Sequence, residues 1–142
     1  WVSTDSNDIA KVSMQNGAQV HMRDPKLAED HVYKQAAIRS AAMHIEEKDK
    51  KYDIYISLQA NSPEIKAYQI DEAIDALIIN SRDEIFSVNN NLMQNAAFRV
   101  FRGEYVFQKD LSTNCGVYVC DIHDVHTIDD IEYIVNTRGL LK

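Results

Sequence analysis

The chain has 142 residues, of which 45% are apolar and 26% are charged, and this is the composition of an ordinary folded protein of one domain's length. Because 15 Lys and Arg stand against 22 Asp and Glu, the net charge of −7 argues against a large basic surface for nucleic acid. No apolar run approaches the ~18 residues that a transmembrane helix needs, so we expect no membrane contact.

The first residues, Trp1 to Asp5, contain neither the basic nor the apolar region of a signal peptide. They have the residue pattern of a β-strand and do not start with methionine, so we expect the chain to begin inside a domain. Only two cysteines are present, Cys115 and Cys120, which is too few for a disulfide framework and predicts a reducing compartment. On one strand their odd separation would point them to opposite faces, and we interpret them as small apolar strand residues.

Strand-like and helix-like segments alternate along the chain. The predicted strands are 1–4, 18–22, 53–58, 84–88, 98–101, 104–108 and 116–122, and the predicted helices are 6–16, 31–48, 68–79 and 128–135. In the helix 6–16, Ile9, Val12 and Ser13 share one face, which we expect to point inward, and Gly17 is its C-terminal stop. The clearest helix is 68–79, where apolar residues recur at helical spacing: Ile70, Ala73, Ile74, Leu77 and Ile78.

Strands that alternate with helices predict an α/β layer with a mainly parallel sheet. No internal repeat or linker is visible, so we expect residues 1–142 to form a single domain, and a partial one. Ligands of such sheets bind beyond the carboxyl ends of the strands. The loops after residues 4, 58, 88 and 122 are therefore the places where we expect chemistry.

The first candidate site is the loop after the strand 53–58. Gln59, Asn61 and Ser62 offer amide and hydroxyl groups at the carboxyl edge of the sheet, and such groups suit a polar ligand. An ordinary polar connection between a strand and a helix would contain the same residue types, so this alternative stays open.

The second candidate is a run of potential metal ligands, Asp121, His123, Asp124 and His126. Carboxylates suit Mg²⁺, whereas imidazoles suit Zn²⁺ or another transition metal. The alternative is a solvated loop followed by a helix cap, because Thr127 and Asp130 resemble a capping box and acidic residues are favoured at a helix N-terminus.

The third candidate is Arg23, which follows the strand 18–22. Its planar guanidinium can clamp a phosphate or a carboxylate through two N–H donors. A surface ion pair with Asp24 or Asp30 is the alternative.

Seven short segments match, in order, the motifs of one enzyme family: VSTDSNDIA at 2–10, NGAQV at 16–20, RDPKLAED at 23–30, LQANSP at 58–63, IDEAI at 70–74, RGEY at 102–105 and DVHTIDDI at 124–131. They are similar to "VSTD" followed by "xEIA", to "GAEV", "RPxxLAxD" and "LQPTSP", to the helix behind that motif, and to "NGAIY" and "DIDTPEDL". The chain thus resembles the cytidylyltransferases that activate sialic acid and related keto-sugar acids as CMP-sugars.

The resemblance implies a Rossmann-like, three-layer nucleotidyltransferase domain. In this family a hydroxyl of the sugar acid attacks the α-phosphate of CTP with the help of Mg²⁺, and pyrophosphate leaves. Carried over by position, Arg23 contacts the substrate region, Gln59 hydrogen-bonds the sugar acid, Ser62 shapes the same loop and Asp124 holds the metal. Because members of the family are usually dimers, we also expect a homo-oligomer.

The chain departs from the family pattern at several positions. The family's opening segment, with a glycine- and lysine-containing loop that cradles the CTP phosphates, is absent from these residues, so we expect a sheet truncated at its N-terminus and no turnover of CTP by the 142-residue chain. His126 takes the place of the second metal carboxylate, and because imidazole is a poor Mg²⁺ ligand, a transition metal is the alternative cofactor. Ala60 replaces a proline, and Arg102 replaces an asparagine.

These observations predict a cytidylyltransferase-like domain whose partners are CTP and a sialic-acid-type keto-sugar acid. The alternative is a non-catalytic binding or assembly relative that keeps the scaffold and has lost the phosphate loop. A further alternative is another sugar nucleotidyltransferase, acting on a shorter acid or a phosphonate. The cytoplasm is the expected location, or the nucleus if the protein is from a vertebrate.

Overall fold

The structure, a computed structural model, describes residues 1–110 and 112–138, and within them six β-strands and four α-helices. In chain order these are β1 (Val2–Thr4), α1 (Asn7–Gln15), β2 (Val20–Met22), α2 (Lys34–Lys48), β3 (Ile54–Leu58), α3 (Ala67–Ile79), β4 (Glu84–Val88), β5 (Gln94–Arg102), β6 (Cys115–Val119) and α4 (Ile128–Arg138). Two 3₁₀ helices lie at Pro25–Ala28 and Tyr105–Phe107. No helix in the described ranges is both long enough and apolar enough to cross a membrane.

The chain divides into two compact units. The first unit comprises Trp1–Tyr55 with Gly103–Leu111, and the second comprises Ile56–Arg102 with Ser112–Lys142. Each unit contains its own β-sheet, and the functional candidates divide between the units.

In the first unit, β1 and β2 pair in parallel, with Val2 opposite Val20. α1 connects them and ends before Gly17, whose φ of 82° lies in the left-handed region that favours glycine, so the predicted stop is confirmed. The predicted inner face of α1 is wrong, because Ala10 is the buried residue while Ile9 and Val12 are exposed. The small Ala10 side chain allows this face of the helix to lie close to the strands.

The segment after Gly103 forms a 3₁₀ helix, so the predicted strand 104–108 is wrong. Its backbone bonds are local, as in the bond from Gln108 N–H to the carbonyl of Tyr105. Gly103 N–H donates to the carbonyl of Asp53 at 2.7 Å. A Cβ atom at Gly103 would lie 2.1 Å from the carbonyl oxygen of Tyr52, so this close approach of two backbones requires glycine.

The second unit contains a four-stranded sheet with the order β3-β5-β4-β6. β5 runs antiparallel to β4, whereas β6 runs parallel to it. The prediction of a mainly parallel sheet is therefore not confirmed, and the sheet is mixed. The physical reason is the short connection of residues 89–93, because a short loop returns the chain as an antiparallel neighbour, whereas a parallel neighbour needs a long crossover.

α3 covers this sheet through the apolar stripe that the sequence predicts. Ala73 and Leu77 are completely buried, and they lie with Phe98 in the core of the second unit. Ile78, at the end of the same stripe, is exposed. The helix is therefore confirmed, and its buried face is narrower than the spacing alone indicated.

Candidate functional site

Two loops of the second unit lie side by side: residues 59–66 after β3, called here the β3 loop, and residues 120–127 after β6, called the β6 loop. Three hydrogen bonds join three consecutive residues of the β6 loop to the β3 loop: from His123 N–H to Glu64 Oε2 at 3.0 Å, from Ser62 Oγ to Asp124 Oδ1 at 2.8 Å, and from Val125 N–H to the carbonyl of Asn61 at 2.8 Å. The structure thus brings together Ser62 and Asp124, which the sequence placed in separate motifs.

The strands place the start of each loop. Gln59 N–H donates to the carbonyl of Ala97 in β5 at 2.9 Å, and Cys120 N–H donates to the carbonyl of Val88 at the end of β4 at 2.9 Å. The side chain of Asn95 adds a bond to the carbonyl of Cys120 at 2.8 Å. Both loops therefore leave the sheet from positions that are bonded to its two central strands.

Ser62 and Glu64 are buried, with 3% and 7% of their surfaces exposed. The hydroxyl of Ser62, predicted to lie at the substrate, has its partner inside the protein in Asp124. Gln59 is half-buried, and its side-chain amide makes no hydrogen bond to another described residue. The Gln59 amide is therefore free for a ligand, and so is the side-chain amide of Asn61, which makes no hydrogen bond among the described residues either.

Asp130 organises the other end of the β6 loop. Its Oδ2 atom accepts bonds from the backbone N–H groups of His126 and Thr127 at 2.9 and 2.8 Å, and its Oδ1 atom lies 2.8 Å from Nε2 of His123. The hydrogen bond with His123 and then the bonds from these backbone groups hold the pKa of Asp130 well below its usual range. Asp130 N–H in turn donates to Thr127 Oγ1 at 3.3 Å, so the predicted capping box is confirmed.

The described residues do not include a group of three or more His, Cys, Asp or Glu side chains able to hold a metal ion. Asp124 is half-buried with one oxygen bonded to Ser62, and His126 is exposed. Mg²⁺ prefers oxygen ligands in near-octahedral geometry, so one carboxylate beside an exposed imidazole does not fit the two-carboxylate magnesium site implied by the resemblance. The assignment of Asp124 and His126 to a metal stays a prediction.

Arg23 lies in the first unit, directly after β2. Its guanidinium forms an ion pair with Asp5, Nη2 to Oδ1 at 2.9 Å, and Nη1 donates to the carbonyl of Ser3 at 3.3 Å. Its Nε atom is buried without a hydrogen-bond partner among the described residues. Asp24, one of the two partners considered from the sequence, instead accepts the N–H of Lys26 at 2.9 Å. Arg23 and Asp5 therefore form a charged pair at the carboxyl ends of β1 and β2.

A buried histidine lies beside this pair. His21 is 7% exposed, its Nδ1 atom is 3.1 Å from Ser3 Oγ, and its ring stacks on His44 at 4.6 Å between centroids. The ring of Trp1 meets His44 edge-on at 5.4 Å. Burial, followed by the charges of His44 and Arg23, lowers the pKa of His21.

No sequence pattern indicated a role for Glu64. An acidic residue directly after Ser62 and Pro63, before a helix, is typical of an exposed first turn. Glu64 is instead buried, and it accepts a hydrogen bond from His123 N–H, 59 positions further along the chain, which no local pattern reports.

Comparison with known proteins adds an independent observation. A sequence model of the family described as cytidylyltransferase matches residues 1–114. This range includes Arg23, Gln59 and Ser62 and ends before the β6 loop with Asp124 and His126.

Individual relatives are similar over shorter stretches. The chain is 33% identical over 88 residues to N-acylneuraminate cytidylyltransferase A of Danio rerio, and the match covers 62% of the chain and 20% of that protein. It is also 33% identical over 88 residues to N-acylneuraminate cytidylyltransferase of Oncorhynchus mykiss, over 62% of the chain and 19% of the relative. The post-translational flagellin modification protein B of Campylobacter coli is 32% identical over 88 residues, or 61% of the chain and 37% of that protein. The matched stretch thus spans about a fifth of the length of the first two relatives.

Proposed function

The chain belongs to the cytidylyltransferase family, and from this premise we propose that it is part of an enzyme that transfers CMP from CTP to a sialic-acid-type keto-sugar acid. The observation that carries the proposal is the junction of the β3 and β6 loops, which places the Gln59 loop and Asp124 in one region of the second unit. The similarity to N-acylneuraminate cytidylyltransferases supports the choice of substrate class.

In this reaction the sugar hydroxyl forms a bond to the α-phosphorus of CTP, and the bond from that phosphorus to the pyrophosphate oxygen breaks. The task of the protein is to orient the acceptor and to balance the phosphate charge. Gln59 suits the first task, because its amide offers two donors and one acceptor to a polyhydroxy acid. Asp124 presents a carboxylate whose position Ser62 fixes. We assign no step to a metal ion.

Arg23 suits the binding of an anion within the first unit. A guanidinium binds phosphate and carboxylate oxygens through its paired N–H groups, and Nε of Arg23 has no hydrogen-bond partner among the residues that the structure describes. An anionic ligand would have to compete with Asp5 for Nη2. We therefore expect a carboxylate or a phosphate of the ligand to replace Asp5 as the partner of Arg23.

Formation of the CMP-sugar tests the proposal directly. The natural protein in full is incubated with CTP, N-acetylneuraminate and Mg²⁺, and the product is separated by anion-exchange chromatography. We expect CMP-sugar from the wild type and at least ~10-fold less from Asp124→Asn, because the charge on this side chain is lost. Asp75→Asn, which changes an exposed acid on α3, is the matched control. Absence of product from the wild type contradicts the proposed function.

A non-catalytic binding relative is the second candidate, and the imidazole of His126 in place of a carboxylate favours it. Such a protein would bind CTP or the sugar acid and release no pyrophosphate. Calorimetric titration with CTP, carried out beside the product assay, distinguishes the two candidates, because binding without product supports the second.

We further propose a homo-oligomer in the cytoplasm. β6 is an edge strand of the described sheet, and Val117 and Val119 on it are each 48% exposed. An apolar strand edge of this kind tends to pair with another chain. Cys115 and Cys120 are free thiols, as a reducing compartment favours. Light scattering that shows a monomer at ~100 µM, well above a micromolar dissociation constant, would contradict the oligomer.

A further inference from the structure

Glu64 is a buried acid in the candidate site to which the proposed reaction assigns no role. It is 7% exposed, and its Oε2 atom accepts the backbone N–H of His123 at 3.0 Å. A carboxylate removed from water in this way is costly unless its hydrogen bonds are strong, so its place in the fold calls for a reason.

The bonds around Asp124 supply that reason. The backbone is held on one side of Asp124 by Glu64, through His123 N–H, and on the other side by the carbonyl of Asn61, through Val125 N–H. Between these two points Ser62 Oγ donates to Asp124 Oδ1 at 2.8 Å. The backbone bonds on both sides fix the Cα position of Asp124, and the hydroxyl then selects the orientation of its side chain.

Beyond Val125 the segment is held by Asp130, which accepts the backbone N–H groups of His126 and Thr127. This carboxylate steadies the start of α4, whereas Glu64 steadies the residue that immediately precedes Asp124. The Oδ2 atom of Asp124 makes no hydrogen bond within the described part of the chain. The arrangement thus holds one carboxylate oxygen and leaves the other available.

We propose that Glu64 is a positioning residue, which holds the backbone at His123 so that Ser62 can fix the side chain of Asp124 in one orientation. The catalytic consequence of this role rests on the proposed function, whereas the positional role does not. It follows that the chain uses a buried acid of the β3 loop to preorganise an acid of the β6 loop.

Nuclear magnetic resonance tests the positional role without any need for turnover. Three-bond couplings report the χ1 rotamer of Asp124 in the wild type, in Glu64→Ala and in Glu64→Gln. We expect one rotamer in the wild type, averaged couplings in Glu64→Ala, and recovery in Glu64→Gln, because the glutamine carbonyl still accepts the His123 N–H. Asp75→Ala on α3 is the matched control and should leave the couplings unchanged.

Unchanged couplings in a folded Glu64→Ala variant, or equal averaging in the Gln variant, would overturn the proposal. Should Glu64→Ala fail to fold, amide hydrogen exchange of the wild type decides. Protection of the His123 amide supports the positional role of Glu64, and exchange of this amide at the rate of an open loop overturns it.

The catalytic consequence is measured separately in the natural protein. Glu64→Ala should lower CMP-sugar turnover by about 10- to 100-fold, and this effect should vanish in the Asp124→Asn background, because both changes disable the same group. Additive effects of the two changes would overturn the role of Glu64. Absence of product from the wild type would instead contradict the proposed function, and the couplings would still judge the positional role.

Discussion

A single methyl group added at Gly103 is predicted to destabilise the first unit strongly. The new Cβ atom would lie 2.1 Å from the carbonyl oxygen of Tyr52, 3.2 Å from the Tyr52 carbonyl carbon and 3.3 Å from that of Asp53. All three are backbone atoms, so no side-chain rotation can relieve the overlap. The two segments must separate, and the bond of 2.7 Å from Gly103 N–H to the carbonyl of Asp53 is then lost.

The magnitude follows from these two losses. Overpacking costs roughly 1–3 kcal/mol and a lost hydrogen bond roughly 0.5–1.5 kcal/mol, so we expect Gly103→Ala to cost about 1.5–4.5 kcal/mol. Gly17→Ala is the matched control, because Gly17 has a φ of 82° and open space around the position of its Cβ. The control therefore carries only the cost of a left-handed φ at an alanine. We expect it to lower the free energy of unfolding by about 1 kcal/mol, because alanine also reduces the conformational entropy of the unfolded chain.

Urea unfolding measures both variants. Trp1, the sole tryptophan of the chain, lies in the first unit against His44, so its fluorescence reports on that unit. We expect the midpoint of Gly103→Ala to fall well below that of Gly17→Ala. If the two midpoints coincide, or if Gly103→Ala is the more stable, the close approach of the backbones is refuted.

Three further measurements test the effects of pH, of Gln59 on ligand binding and of His126 on the metal dependence. Folding lowers the pKa of His21, so the imidazole binds a proton more readily in the unfolded chain than in the folded one. The stability that neutral His21 contributes is therefore complete above the ordinary pKa of 6.5 and decreases as the pH falls below that value. His21→Gln should flatten this part of the plot of urea midpoint against pH, and an unchanged slope would contradict the cause. Gln59→Ala should weaken sugar-acid binding in calorimetry by roughly 1–3 kcal/mol with little change in the unfolding midpoint, and equal affinity would make Gln59 a structural residue. His126→Asp should raise Mg²⁺-dependent CMP transfer by the natural protein at least ~10-fold, about 1.4 kcal/mol, because a carboxylate replaces an imidazole; no gain would show that His126 does not limit the reaction.

Local patterns predicted much of the secondary structure. The end of α1 at Gly17, the buried positions Ala73 and Leu77 of α3, and the cap formed by Thr127 and Asp130 all depend on residues within a few positions of one another. Such features are encoded by spacing and by backbone conformation, so a single sequence contains the information.

The errors lie where distant segments meet. The direction of β5 depends on a short polar connection that lacks the Asn-Gly or Asp-Gly signal of a tight hairpin. The exposure of Ile9 and Val12 depends on which face of α1 packs on the strands, and apolar spacing alone marked a different face from the one centred on Ala10.

In the candidate site, too, the sequence predicted individual residues but not the contacts between distant segments. Ser62 and Asp124 were singled out separately, from a loop motif and from a run of ligand-type residues. Their mutual hydrogen bond, and the bond from His123 N–H to Glu64, span 62 and 59 positions of the chain. These contacts depend on how the loops leave the sheet, which the residue types alone do not encode.

In the proposed enzyme, the β3 and β6 loops together form one site for a nucleotide and a sugar acid. Backbone amide resonances of the ¹⁵N-labelled chain, titrated first with CTP and then with N-acetylneuraminate, test it most directly. We expect the saturable shifts to concentrate at residues 59–64 and 121–127, and Gln59→Ala to reduce the shifts caused by the acid. Shifts confined to other parts of the second unit, or no saturable shift in either loop, would contradict it.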